Sequence, residues 1–165
     1  MIYINYITLI FCVLLCGCGA VGGGYIKTTN VLEPVVIQIE KNNIRKIEVF
    51  YVDGIIEEYG VTPKRFDEFL AEHLPCIRKT SITVTDENRD KIVSILKDSR
   101  MHRNPPINIR MQVQFITADG HVQQAAYFGA YGEISITENG FGRNKAFFDM
   151  CRKEAIKHGE YIWDK

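Results

Sequence analysis

The sequence predicts an α+β fold, in which a largely antiparallel sheet built from hairpins packs against about three helices on one face. Three observations support this fold class. Short runs rich in β-branched and aromatic residues recur along the chain, and two of them are followed by Asp-Gly pairs of the kind that form hairpin turns. Three other stretches place apolar residues at the spacing of an amphipathic helix.

The first predicted strands precede any predicted helix. A β-branched run at Glu33–Glu40 predicts the first strand. Ile44–Tyr51 and Ile55–Val61 are also rich in β-forming residues, and they flank Val52-Asp53-Gly54. Because Asp-Gly tolerates the positive φ angles of a type I′ turn, we expect these two segments to form the first hairpin.

A helix is predicted after this hairpin. Thr62 is placed to cap it, and Pro63 falls at its first position, where a missing N–H costs nothing. Pro75 would end it, and its buried face would consist of Phe66, Phe69, Leu70, His73 and Leu74.

A strand and a second helix are predicted next. Ile77–Thr85 alternates apolar and polar residues and predicts the strand. Asp86 is the candidate N-cap of the helix, which would carry along one side Arg89, Ile92, Val93 and Leu96. Met101–Asn108 contains two prolines and predicts a loop.

The last third of the sequence predicts a three-stranded meander and a closing helix. Ile109–Thr117 and His121–Phe128 would form a hairpin around Ala118-Asp119-Gly120, and Glu133–Thr137 would add the next strand. A turn, a helix and a C-terminal glycine cap are then expected at Asn139–Gly142, Arg143–Lys157 and Gly159.

The N-terminal segment has a different composition. It carries no Lys, Arg, Asp or Glu before Lys27, and residues 2–15 are almost wholly apolar. This length suits the apolar region of a signal peptide, whereas a membrane span needs about 20 apolar residues. The segment ends in Leu15-Cys16-Gly17-Cys18, which resembles the lipobox of bacterial lipoproteins, with Leu15 at the aliphatic position and Gly17 before the cut.

The resemblance implies a domain organisation and a location. Residues 1–17 would be a signal peptide, residues 18–32 the lipidated Cys18 with a glycine-rich tether, and residues 33–165 a single α+β domain. Several acyl chains would hold the protein on a membrane durably. Gly19 in place of an acidic residue implies sorting to the outer membrane, facing the periplasm. The alternative is an uncleaved anchor over residues 2–26, with Lys27 favouring a cytoplasmic domain.

Two cysteines, Cys76 and Cys151, would lie in the mature folded domain. Export favours a disulfide between them. The alternative is two free thiols, since Cys151 lies within a predicted helix and would fill core space there. Neither cysteine has another cysteine or a histidine at ligand spacing, so we expect no metal site and no cofactor.

The sequence predicts no catalytic residues. The four histidines show no metal-binding or catalytic spacing, and Glu57 and Glu58 alternate on a predicted strand and cannot converge on one substrate. We expect His73 to be buried on its helix and His102 to face solvent. The 20 basic and 20 acidic residues give a net charge of zero, so the chain has no overall positive field that would attract phosphates. Nucleic acid is therefore excluded as an expected partner.

A cluster of aromatic residues and glycines near the predicted sheet ends is the best candidate for a binding surface. Exposed aromatic and arginine side chains are the usual anchors of interfaces. The predicted surface consists of His102, Tyr127, Tyr131, Phe141 and Arg143. The alternative is that the aromatic residues pack on helices and the glycines form turns.

These features favour a membrane-anchored lipoprotein whose domain, without catalytic activity, binds a protein or a cell-envelope ligand. Two other hypotheses stay open. One is a hydrolase of envelope polymers that uses His102 or His121 beside a carboxylate. The other is a structural or assembly accessory with no ligand of its own.

Overall fold

The computed structural model describes residues 30–54, 60–102, 106, 108–137 and 140–162. In these ranges the helices are α1 (Glu33–Glu40), α2 (Pro63–Ala71), α3 (Asp86–Lys97) and α4 (Lys145–His158). The strands are β1 (Ile44–Val52), β2 (Ile77–Thr83), β3 (Arg100–Met101), β4 (Ile109–Thr117), β5 (Val122–Gly129), β6 (Glu133–Thr137), β7 (Gly140–Arg143) and β8 (Glu160–Tyr161).

The strands form one sheet in the order β3-β7-β6-β5-β4-β1-β2-β8, and each of these neighbours pairs antiparallel. The predicted α+β class with a largely antiparallel sheet is therefore confirmed. The hairpin of β4 and β5 is also as predicted, with Gly120 at φ +89° in its turn. Along the long strands, successive side chains point to opposite faces of the sheet, as the pleat requires.

The main core lies on the face covered by α1, α3 and α4. Alternate residues of the central strands, such as Val49, Val113 and Ala126, point into it and are fully buried. Phe147 of α4 packs over the sheet, with its ring centroid 6.0 Å from that of Phe115. Burial of such aromatic area stabilises the fold and positions the start of α4.

The helices do not all lie on one face, contrary to our expectation. Phe66 and Phe69 of α2 are buried against Val52, Ile77 and Ile109, which form a second cluster on the opposite face. Thr62 caps α2 as predicted, accepting a hydrogen bond from the backbone N–H of Arg65 at 3.2 Å.

The strand predicted at Glu33–Glu40 is wrong, because this segment is α1. Its buried residues Val35, Val36 and Ile39 fall on one side of a helix, and Pro34 occupies the first turn. The helix packs beside α3, and Glu40 pairs with Lys97 at 2.7 Å. Tertiary packing thus overrides the β propensity of its valines and isoleucines.

The neighbours of β1 also differ from the prediction. Val52 pairs with Ile77 of β2, and Tyr51 pairs with Met111 of β4. The return strand predicted at Ile55–Val61 lies largely outside the described residues. Val61 itself is buried in the second cluster, and its carbonyl accepts a hydrogen bond from the backbone N–H of Ile109 at 3.0 Å.

Three smaller predictions need correction. Gly140–Arg143 is β7 and not part of a turn, because it pairs with both β6 and β3. The N-cap of α3 is Thr85 and not Asp86, since Thr85 and Asn88 form a reciprocal capping box. His73 lies beyond the end of α2, at φ +52°, and is exposed instead of buried.

The expected disulfide is absent from the structure, and both cysteines are free thiols. Cys151 is fully buried in the main core, whereas Cys76 packs against the second cluster across the sheet. Since the two clusters occupy opposite faces, the two thiols cannot meet without rearrangement.

No helix in the described ranges is long and apolar enough to cross a membrane.

Candidate functional site

Four of the five residues predicted to form a binding surface lie together at one edge of the sheet. The backbone N–H of His102 donates a hydrogen bond to the Phe141 carbonyl at 3.0 Å, which joins the end of β3 to β7. Arg143, also on β7, donates from Nε to the Tyr131 carbonyl at 3.4 Å. Tyr131 is 68% exposed, so its ring is available to a partner.

A concavity of about 500 Å³ opens at this edge, and we call it the basic concavity. Asn144 and Ala146, at the start of α4, form part of its wall. Its other lining residues are Asp98, Arg100, Met101, His102, Arg143 and Lys145. Basic side chains outnumber acidic ones here, although the whole chain is neutral. The concavity therefore has the charge expected of a site for an anionic group.

Two arginines face each other across β3 and β7. Arg100 is the register partner of Arg143, so the two guanidinium groups leave the same face of the sheet. Like charges in directly opposed positions destabilise a strand pair. Within the described ranges, no carboxylate oxygen lies within 4.0 Å of either guanidinium. Their planar forks are geometrically suited to carboxylate or phosphate oxygens.

The first turn of α4 is held in place by Asn144. Its side chain accepts from the Phe147 N–H at 2.8 Å and donates to the Ile95 carbonyl at 2.7 Å. It also donates to the Ser99 hydroxyl at 2.8 Å. These bonds fix the helix N-terminus beside the basic concavity, where the helix dipole adds to the positive potential.

Two glycines allow the backbone to approach closely around this site. At Gly132, with φ +82°, a Cβ would lie 2.6 Å from the Lys145 Cα. At Gly142, a Cβ would lie 2.4 Å from a methyl group of Val31 and 2.9 Å from the Arg100 carbonyl oxygen. Any larger residue would push β3 or α4 away from its neighbours.

Tyr127 is the predicted surface residue that the structure places elsewhere. Its hydroxyl donates to the Asp67 carboxylate at 2.8 Å, and Gln112 donates to the same carboxylate at 2.6 Å. Burial raises the pKa of Tyr127 to about 12, and the hydrogen bond to Asp67 adds to this effect. Partial burial raises the pKa of Asp67, against the lowering effect of its two hydrogen bonds. These contacts dock α2 on the sheet.

Sequence reasoning missed Arg100 and Lys145. Arg100 stands two residues before His102, which is the spacing that puts side chains on one side of an extended strand. This two-residue spacing predicts that Arg100 lies beside His102 on the same side of the strand. The position of Lys145 follows from where α4 begins relative to the sheet, which spacing alone does not reveal.

His121, one of the two histidines considered for hydrolysis, lies beside a carboxylate only at an exposed position. His121 lies 3.8 Å from Asp119, but both side chains are largely exposed at the tip of a hairpin. No group of three or more His, Cys, Asp or Glu side chains among the described residues is placed to hold a metal ion.

Comparisons of the chain with protein-family models, with curated proteins and with solved structures found no significant match.

Proposed function

We propose that this protein is a lipoprotein of the bacterial cell envelope, anchored through lipid on Cys18, whose domain binds an anionic group of a protein or an envelope component. The domain acts by binding and not by catalysis. The lipobox-like sequence supports the anchor, and Gly19 supports an outer-membrane location facing the periplasm.

The observation that carries the binding role is the convergence at the sheet edge. His102 precedes Tyr131, Phe141 and Arg143 by 29 or more positions in the sequence, yet the four meet beside Arg100. Exposed aromatic and arginine side chains around a concavity are the residue types that dominate binding energy at interfaces.

The anchor is tested by mass spectrometry of the protein from membrane fractions. The wild type should begin at Cys18 and carry acyl chains, and a Cys18→Ala variant should keep the unprocessed N-terminus. A wild-type chain with no acyl mass on Cys18 would refute the anchor.

The binding role is tested by crosslinking in cells, with a photoreactive residue placed at Tyr131. An Arg100→Glu, Arg143→Glu double variant should lose the crosslinked species. The matched control is Lys153→Glu with Lys157→Glu, which makes the same charge change on an exposed part of α4. Equal crosslinking in both double variants would show that the basic concavity is not the binding surface.

A further inference from the structure

A second concavity, which we call the apolar groove, lies between α1 and strands β5, β6 and β7. It has a volume of about 690 Å³. Its apolar lining consists of Val31, Pro34, Val35, Ile37, Met101 and Ile136. Ile37 is 40% exposed and Met101 is 51% exposed, so the groove presents apolar side chains to solvent. An apolar concavity that opens to solvent is a candidate site for an apolar group.

The apolar groove adjoins the basic concavity, since Met101 lines both. Alternation along β3 explains the junction, because Arg100 and Met101 leave opposite sides of the strand. The main-core side of the edge is therefore apolar, and the other side carries Arg100 and Arg143 together with Glu133, which is the register partner of Arg143 on β6. The acidic lining residues are Glu33 in the groove and Asp98 in the concavity.

We propose that the joined surface binds an anionic lipid, with an acyl chain in the apolar groove and the headgroup phosphate between Arg100 and Arg143. The two guanidinium groups can donate to phosphate oxygens, which relieves the repulsion between the opposed arginines. The groove volume falls in the range of sites that hold small molecules. The negative charge of Glu33 disfavours a phosphate within the apolar groove. The headgroup is therefore expected at the arginines and the acyl chain in the groove.

The short distance along the chain between the apolar groove and the proposed anchor favours a lipid over a protein as the occupant of the groove. The inference rests on the proposed anchor at Cys18. Asn30 lines the apolar groove, and 12 residue steps separate it from Cys18. A chain of that length reaches at most about 43 Å. The anchored domain would thus keep the groove close to the membrane surface, where lipid is the most concentrated amphiphile.

The experiment uses the full-length protein purified from membranes and reconstituted into vesicles of equimolar phosphatidylcholine and phosphatidylglycerol. One lipid at a time carries a photoreactive acyl chain, and crosslinked peptides are mapped by mass spectrometry. Labelling of the α1 peptide and of Met101 by phosphatidylglycerol is expected to exceed labelling by phosphatidylcholine roughly tenfold, the ratio that corresponds to about 1.4 kcal/mol.

Two pairs of variants separate the role of each part. Arg100→Gln with Arg143→Gln should abolish the headgroup preference, whereas Lys153→Gln with Lys157→Gln should keep it. Ile37→Asp should remove groove labelling, whereas Ile156→Asp should not, although Ile156 is a similarly exposed isoleucine at 46%. Circular dichroism of each variant checks that it is folded.

Equal labelling by the two lipids, or labelling that avoids both α1 and Met101, would overturn the inference. Protein–protein crosslinks through Ile37 or Met101 would overturn it too, and would assign the groove to a second copy or a partner. Acyl mass on Cys18 is recorded from the same samples. A failed anchor is therefore distinguished from a failed lipid site.

Discussion

Asn144 donates a hydrogen bond from its side-chain amide to the Ser99 hydroxyl at 2.8 Å, and both residues are buried. The same amide donates to the Ile95 carbonyl in the last turn of α3 and caps α4 through Phe147. One side chain thus ties the end of α3 to the start of α4, and it fixes the wall of the basic concavity.

We expect Asn144→Ala to lower the free energy of unfolding by about 3 kcal/mol, the sum of a lost cap and of buried groups left without a partner. Urea denaturation measures this loss. Thr85→Ala is the matched control, since Thr85 caps α3 from an exposed position and should cost about 1 kcal/mol. If the two variants lose equal stability, the bridge from Asn144 to α3 adds nothing beyond capping.

Gly132 and Gly120 offer a second matched comparison. Both have positive φ, at +82° and +89°, but a Cβ at Gly120 would meet no atom within 4 Å, whereas at Gly132 it would meet the backbone of Lys145. Gly120→Ala should lower the free energy of unfolding by about 1 kcal/mol, because of the backbone conformation alone. Gly132→Ala should lower the free energy of unfolding by clearly more, and the urea midpoint measures the difference. Similar costs would mean that α4 shifts to accommodate the methyl group.

The long strands could be predicted from the sequence because their side chains alternate over many residues. Ile109–Thr117 is the clearest case, with a buried apolar residue at every second position from Ile109 to Phe115. The helix at Glu33–Glu40 could not be predicted, because valine and isoleucine favour strands. Its packing against α3 depends on residues that are distant in the sequence. Strand β7 was not predicted, because its glycines are more typical of turns.

The candidate site was predictable only in part. Residue type and the predicted turns indicated His102, Phe141 and Arg143, and these do lie together. The pairing of Arg100 with Arg143 depends on the register of a two-residue strand, which has no periodicity to read. Tyr127 shares a face of the sheet with Phe141 but lies two strands away on β5, where it contacts Asp67 of a helix 60 positions earlier, and this contact has no local sequence signal.

The Asp67–Tyr127 contact can be measured with a double-mutant cycle. Asp67→Ala and Tyr127→Phe each break the hydrogen bond, and the double variant should recover a coupling energy of about 1 kcal/mol. Gln112 shares the carboxylate, so Asp67→Ala alone should cost more than Tyr127→Phe. A coupling energy near zero would show that the hydrogen bond does not contribute to docking α2.

The same contact predicts a dependence on alkaline pH. The pKa of Tyr127 is raised from 10.0 to about 12, so the folded protein holds this proton more tightly than the unfolded chain. The resulting stabilisation is complete below pH 10 and is lost as the pH rises from 10 to about 12. Over that window Tyr127→Phe should lose less stability than the wild type, as followed by urea denaturation. Parallel losses in the two proteins would contradict the shift.

The two thiols should differ sharply in reactivity. Burial raises the pKa of the Cys151 thiol and also blocks reagents, whereas Cys76 is partly exposed. Because the thiolate is the reactive form, iodoacetamide should label Cys76 in the folded protein at neutral pH and leave Cys151 unlabelled. After denaturation without a reductant, both should be labelled, as peptide mapping by mass spectrometry would show. Cys76→Ser is the control, and its folded form should take up no label at Cys151. If the denatured wild type is labelled at neither cysteine until it is reduced, the two thiols are joined in a disulfide, and the separate positions found for them are wrong.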